Sequence, residues 1–366
     1  MKKLGFGCMR LPLTKKGDDS SIDKKYAAEM FDSFLSEGFT YFDTAFMYHK
    51  SMSEKVVGEM LCSRHERESF LLATKMPVGM LKNKDDTDRI FKEQKEKCQT
   101  EYFDYYLLHC LDKNNYKKAL KYGVFENLQQ KREKGEIKKL GFSFHDTADV
   151  LDKILTDQPQ MEFVQLQINY LDWEDIKVQS RRCYEIARKH NKEIIVMEPV
   201  KGGRLANLTS EAKAYLEKYK PDVSPACFAL GFCASLPGVS LVLSGMSDRH
   251  QLKENMEYFD KLDSFSEGDY EIARDIAKIL KKQNLIDCTD CQYCVEGCPK
   301  KIDIPKYFAV YNDAVKGKIT SKRKYRALIK KTTPASECIA CGKCERTCPQ
   351  KINIIEMLKN TMEKFK

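Results

Sequence analysis

Short, nearly continuous apolar runs alternate with amphipathic segments over about the first 260 residues of the chain. The runs are "LGFGCMR", "FTYFDTA", "FLLATK", "FDYYLLH", "KKLGFSF", "FVQLQIN", "IIVMEPV" and "VSLVLSG". Most are β-branched or aromatic, as strands buried on both faces should be. Between them the apolar period lengthens. In "SIDKKYAAEMFDSFLSEG", Ile22, Tyr26, Met30 and Phe34 repeat every four residues and Gly38 supplies a stop. "SEKVVGEML", "VFENLQQKREKG", "TADVLDKIL", "RRCYEIARKHN" and "SPACFALGFCASL" predict further helices. Eight strands with crossover helices predict an α/β fold, a (β/α)8 TIM barrel. A doubly wound open sheet is the alternative, since "GFG" hints at a glycine turn, but the third glycine and the downstream acidic partner are missing. Residues 267–285 read as a helix leaving the barrel. The expected domains are a barrel over residues 1–280 and a small, mainly α-helical domain over 281–366.

Composition changes this picture little. Hydrophobic residues make up 42% and charged residues 32% of the 366, ordinary for a globular chain. No apolar run approaches the length needed to span a bilayer, and the N-terminal residues lack a signal-peptide core, so a cytoplasmic protein without membrane contact is expected. The net charge of +9 is unevenly placed. Residues 300–331 hold eleven Lys or Arg against Asp303 and Asp313. No nucleic-acid motif accompanies them, so nucleic acid is not expected as a partner. A solvated face, compensation of bound negative charge, and docking of an acidic electron-transfer partner are the readings left.

Cysteine is the unusual component, at fifteen residues. Eight lie in two strings, "CTDCQYCVEGCP" from Cys288 and "CIACGKCERTCP" from Cys338. The others are scattered through apolar stretches, as buried thiols are. Each string has the form C-x2-C-x2-C-x3-C-P, whose thiolates can converge on one iron–sulfur cube. Zinc, the alternative for CxxC pairs, has no use for four close cysteines repeated. Two [4Fe–4S] clusters are therefore expected, on Cys288, Cys291, Cys294, Cys298, Cys338, Cys341, Cys344 and Cys348. The insert between the strings reads as helix–turn–helix, and no repeat beyond the strings is apparent.

Chemistry in such barrels gathers where strands end at their C-termini. Asp43 ends the second run, Lys75 the third and His109 the fourth, with Tyr48 in the loop after Asp43. A carboxylate, an ammonium, an imidazole and a phenol at one rim can protonate a carbonyl oxygen. "FDTAFMYHKSMSEKVVGEML", "LLATKM" and "DYYLLHC" resemble the aldo-keto reductases, whose tetrad is matched at Asp43, Tyr48, Lys75 and His109. "KKLGFSFHD", "FVQLQINYLDW", "MEPVKGGRLA" and "LSGMSDRHQLKENM" follow in that family's order. The C-terminal strings are similar to the ferredoxin-type tail of one branch of it. The resemblance implies hydride transfer from a nicotinamide to a small-molecule carbonyl. Tyr48 would donate the proton, the Lys75 ammonium would favour the phenolate, Asp43 would fix Lys75, and His109 would orient the carbonyl.

The resemblance also implies a site for NADP(H) or NAD(H). Ser143 and Gln165 match the residues that hold the carboxamide, and Met197 stands where an aromatic ring stacks on the nicotinamide. Phe144 replaces the family's asparagine. Gly245, Met246, Gln251 and Asn255 match the adenosine grip, with the 2′-phosphate arginine falling at Gln251 and Arg249 nearby. Ferredoxin-type exchange of fourth cysteines implies one cluster on Cys288, Cys291, Cys294 and Cys348. The other would take Cys338, Cys341, Cys344 and Cys298. Three functions follow: a carbonyl reductase coupled to its clusters, an electron-transfer protein with an acidic ferredoxin-like partner, or a reductase with structural clusters. Joining two-electron to one-electron chemistry requires a converter such as a flavin, for which the chain shows no motif.

Overall fold

Eight parallel strands close into a barrel in strict chain order, with β1 paired to both β2 and β8. They are β1 Leu4–Gly7, β2 Tyr41–Asp43, β3 Leu71–Met76, β4 Phe103–Leu111, β5 Ile137–Phe144, β6 Phe163–Gln167, β7 Glu193–Met197 and β8 Val239–Ser244. The structure, a computed structural model, describes residues 2–15, 17–262 and 265–366. The open-sheet alternative is thereby settled: the first glycine-rich run is a barrel strand. These residues fall into two compact units, one of 1–174, 179–199 and 229–265, the other of 175–178, 200–228 and 266–366. No helix among the described residues is long and apolar enough to cross a membrane.

Strand alternation explains how the first unit fills. Tyr41, Ala73, Tyr105, Phe163, Ile195 and Leu241 point inward and pack together. Their rings meet edge to face, Tyr41 with Tyr105 at 5.0 Å and Tyr105 with Phe163 at 5.1 Å. Gly141 makes room for this layer. A Cβ there would lie 2.4 Å from the Phe163 carbonyl oxygen and 2.7 Å from its ring. Outward-facing Phe6 and Phe42 meet Phe31 and Phe34 of the helix Lys24–Ser36, so the four-residue repeat buries one helix face.

The second unit is helical: Ser210–Tyr219, Glu267–Lys281, Ile304–Val315, Ser321–Lys331 and Ile354–Lys364. A reciprocal Ser266–Asp269 capping box starts the helix Glu267–Lys281. Tyr215 donates to Asp275 at 2.8 Å and Lys220 pairs with Asp269 at 2.6 Å, fastening Ser210–Lys220 to that helix. The core of Ile302, Tyr307, Phe308, Ile354 and Leu358 also takes in Cys294, Cys344 and Cys348. The basic insert is partly consumed by local pairs, Lys318 and Lys324 with Asp313, and Lys306 with Asp303.

A repeat extends beyond the two strings, contrary to the sequence reading. Asp290 and Ala340, then Gln292 and Gly342, then Lys301 and Lys351 all have positive φ. Short helices follow in register at Tyr293–Glu296 and Lys343–Arg346, and longer ones at Ile304–Val315 and Ile354–Lys364. The turn bonds recur, Ile304 N to Ile302 O and Ile354 N to Ile352 O, both 2.9 Å. Alternating left- and right-handed residues turn successive N–H groups into a concavity suited to an anionic sulfur cage.

Candidate active site and cluster cavities

Three strand ends and one loop build the rim site. Lys75 on β3 donates to Asp43 on β2 at 2.5 Å and to the Thr44 carbonyl at 2.8 Å. Both side chains are buried, so each charge depends on the other. Gln165 on β6 donates to the second Asp43 oxygen at 3.0 Å. The Lys75 ammonium lies 4.8 Å from the centre of the Tyr48 ring, and that ring stands edge-on to His109 with centroids 6.1 Å apart. Asp43, Tyr48, Lys75 and His109 are thus brought together.

Burial dominates their electrostatics. Burial of the hydroxyl end, followed by the nearby Asp43 carboxylate, pushes the Tyr48 phenol well above its ordinary value. The Lys75 ammonium, bonded to Asp43 and Thr44, lies against the face of the ring. Tyr48 is therefore a phenol that holds its proton at neutral pH. His109 is pushed well below its ordinary value by burial, then by Lys75 and His145. It is a neutral imidazole at pH 7, able to donate an N–H to an oxygen without carrying charge.

The His109 shift has a sign that can be checked. Its folded value lies below the unfolded 6.5, so its contribution is present above pH 6.5 and lost as pH falls toward the folded value. The stability difference between wild type and H109L is expected to fall by about 1.4 kcal/mol per pH unit below 6.5, in wild type's disfavour. Urea unfolding at pH 7, 6 and 5 reads it; a constant difference would mean that His109 titrates normally.

Sequence reasoning missed the support behind these groups. Buried Glu54 accepts from Thr74 and Gln94, each at 2.6 Å, and Gln94 also donates to the Lys75 carbonyl at 3.0 Å. Tyr106 donates to the Gln94 oxygen at 2.5 Å. His49, beside Tyr48, accepts from the Leu11 N–H at 3.1 Å and donates to the Asp19 carbonyl at 2.9 Å. It does so from left-handed backbone, as do Lys50 and Ser51, a run that costs on the order of 1–2 kcal/mol per residue. The signal was a lone histidine in a loop, which is too little to read.

The nicotinamide candidates lie along the same strand ends. Ser143 and Gln165 are register partners on β5 and β6, and Ser143 Oγ accepts from the Cys110 N–H at 2.8 Å. Phe144 is buried and packs edge-on against Phe142, while Met197 ends β7 partly exposed. Gly245 and Met246 follow β8. A Cβ on Gly245 would come within 2.8 Å of Arg10, and buried Asn255 donates to Ser244 at 3.0 Å. Gln251 accepts from the Ser247 N–H at 2.8 Å, and Arg249 pairs with Glu29 while lying over Tyr26.

In the second unit the eight cysteines line two cavities. One is lined by Cys288, Cys291, Cys294 and Cys348, the other by Cys298, Cys338, Cys341 and Cys344. The remaining walls are mostly apolar: Pro305, Phe308, Ile352 and Ile354 in the first, Ile302, Ile304, Ile355 and Leu358 in the second. Among the described residues no three Cys, His, Asp or Glu converge tightly enough for a single ion. Four thiols set around an apolar space fit a cube wider than one ion.

The profile of the aldo/keto reductase family matches residues 3–278, and the chain belongs to that family. The profile of the 4Fe-4S dicluster domain matches residues 287–353, making this an oxidoreductase with an iron–sulfur domain. An uncharacterized oxidoreductase, YqkF of Bacillus subtilis, is 24% identical over 292 residues, 70% of this chain and 87% of that protein. Norsolorinic acid reductase B of Dothistroma septosporum is 31% identical over 122 residues, 30% of this chain and 31% of that protein. Among solved structures, the holo form of aldo-keto reductase AKR11C1 from Bacillus halodurans superposes with a TM-score of 0.61. It is 22% identical and covers 75% of this chain and 91% of its own. An aldo-keto reductase from Klebsiella pneumoniae in complex with NADPH gives a TM-score of 0.59 at 18% identity, covering 75% and 90%.

Proposed function

We propose that the barrel reduces a small carbonyl compound with NADPH or NADH, with Tyr48 as the proton donor. The observation that carries this reading is the convergence of a phenol, an imidazole and a buried ion pair at one rim of strand ends. A bound reduced nicotinamide supplies a hydride to the carbonyl carbon. Tyr48 gives its proton to the oxygen, so one C–H and one O–H bond replace the π bond, and it regains a proton from solvent. His109 donates a hydrogen bond to that oxygen and polarises it. Ser143, Gln165 and Met197 would border the nicotinamide, and Gly245, Met246, Gln251 and Asn255 the adenosine end. The NADPH-bound relative supports NADP(H) by likeness of fold. The test is NADPH oxidation with aldehydes and ketones, wild type against Y48F.

The thiol-lined cavities support two [4Fe–4S] clusters, with Cys348 and Cys298 exchanged between the strings. Bound clusters supply one-electron steps. An acidic one-electron partner is a second role with its own support. Cys341 is exposed and Ile339 is 58% exposed, with exposed Lys343 and Arg346 in the same string. Anaerobic titration of the cluster-loaded protein with NADPH, followed by EPR, is expected to develop a reduced-cluster signal if barrel and clusters communicate. An unchanged signal would assign them separate tasks.

A further inference from the structure

The "KGG" at 201–203 has no part in the carbonyl chemistry above, yet it is pressed against one cluster cavity and not the other. Lys201 is 2% exposed, and its Nζ donates to Gln350 Oε1 at 2.6 Å. Gln350 is itself buried, lies two residues past Cys348, and lines the cavity of Cys288, Cys291, Cys294 and Cys348. Gly202, at φ 61°, meets the wall of the same cavity. A Cβ there would lie 2.7 Å from Thr289 Cα and 2.8 Å from its carbonyl oxygen. Thr289 is buried next to Cys288 and belongs to that lining too. Arg204 pairs with Asp287, the residue before Cys288. Thr289 and Gln350 line this cavity and not that of Cys298, Cys338, Cys341 and Cys344, and Lys201 reaches it through Gln350.

We propose that Lys201 is a fixed positive charge that raises the reduction potential of the Cys288, Cys291, Cys294 and Cys348 cluster above that of its neighbour. This rests on the reading of both cavities as cluster sites. A cube on four thiolates gains one negative charge when it accepts one electron from a reductant, and no bond is made or broken. An ammonium held in the protein interior stabilises that added charge more than the oxidised form, which raises the potential. The ammonium is held by the burial of its side chain and by its bond to Gln350. Electrons therefore collect on the Cys288 cluster, and the cluster at exposed Cys341 is the port through which they enter or leave.

The experiment is an EPR-monitored dithionite titration of the anaerobically loaded full chain, comparing wild type, K201M and K201R. In K201M one couple is expected to move negative while the other stays. At the wild-type midpoint the reduced-to-oxidised ratio should drop about tenfold, which for one electron is 59 mV. K201R keeps the charge and should stay close to wild type. If K201M does not retain both clusters, K201Q, which removes the charge and leaves Gln350 in the cavity wall, is read with the same expectation. Unmoved couples in the loaded variant would overturn the proposal. So would an equal shift in K201R, which would mean that shape rather than charge matters, or a shift of both couples together. A wild-type chain showing no cluster signal overturns instead the cluster reading beneath it.

Discussion

Y48F is expected to lower kcat for NADPH-dependent carbonyl reduction by about 10²–10⁴-fold, the usual worth of a positioned general acid. The substitution removes one hydroxyl and leaves the ring. Phenylalanine retains the face above the Lys75 ammonium and the edge toward His109, so the packing of the site should survive. NADPH binding, followed by fluorescence quenching, should therefore change little while turnover collapses. The phenol is pushed upward by burial and by Asp43, so wild-type turnover should not fall between pH 6 and 9 through loss of this proton. Y48F turnover within a few-fold of wild type would remove Tyr48 from the chemistry and leave His109 as the remaining donor at the rim.

The second large effect concerns iron. C348S and C298S are each expected to lose one of two clusters, halving the iron and acid-labile sulfide of the loaded protein. The distinguishing feature is which other cysteine behaves alike. On the proposed exchange, C348S should match C288S in its residual EPR spectrum, although Cys348 belongs to the other string. C298S should match C338S for the same reason. If spectra instead pair Cys348 with Cys338, each string closes its own cube and the crossed assignment is wrong. Loss of a cluster should also loosen the second unit, since Cys294, Cys344 and Cys348 sit among its core residues.

Much of this architecture can be read from the chain because local pattern and tertiary role coincide. The strands are apolar on both faces, and Asp43, Lys75 and His109 stand out where such runs turn polar. The cysteine spacing is a chemical requirement written in a dozen residues. Other features depend on partners far away in sequence. The helix Asp86–Cys98 is hard to read because half of its buried face is polar: Asp86, Thr87 and Gln94 are buried with Ile90, Phe91 and Cys98. Gln94 looks like a surface residue until Glu54, Tyr106 and the Lys75 carbonyl close around it. The internal repeat runs on past the strings as "CPKKIDI" and "CPQKINI", and within them it is carried by backbone angles, with Asp290 answering Ala340 and Gln292 answering Gly342. Gln165 resembles a carboxamide holder by position, yet its amide nitrogen is turned to Asp43. Lys201 could not be linked to Gln350 by any local rule.

The crossed lining of the two cavities also bears on how the two strings depend on each other. On the proposed exchange the first string supplies three of its four thiolates and takes the fourth, Cys348, from the second. The second string takes Cys298 from the first in return. On that reading the two cubes are built as a pair, and neither string cut free of the other keeps a complete set of thiolates.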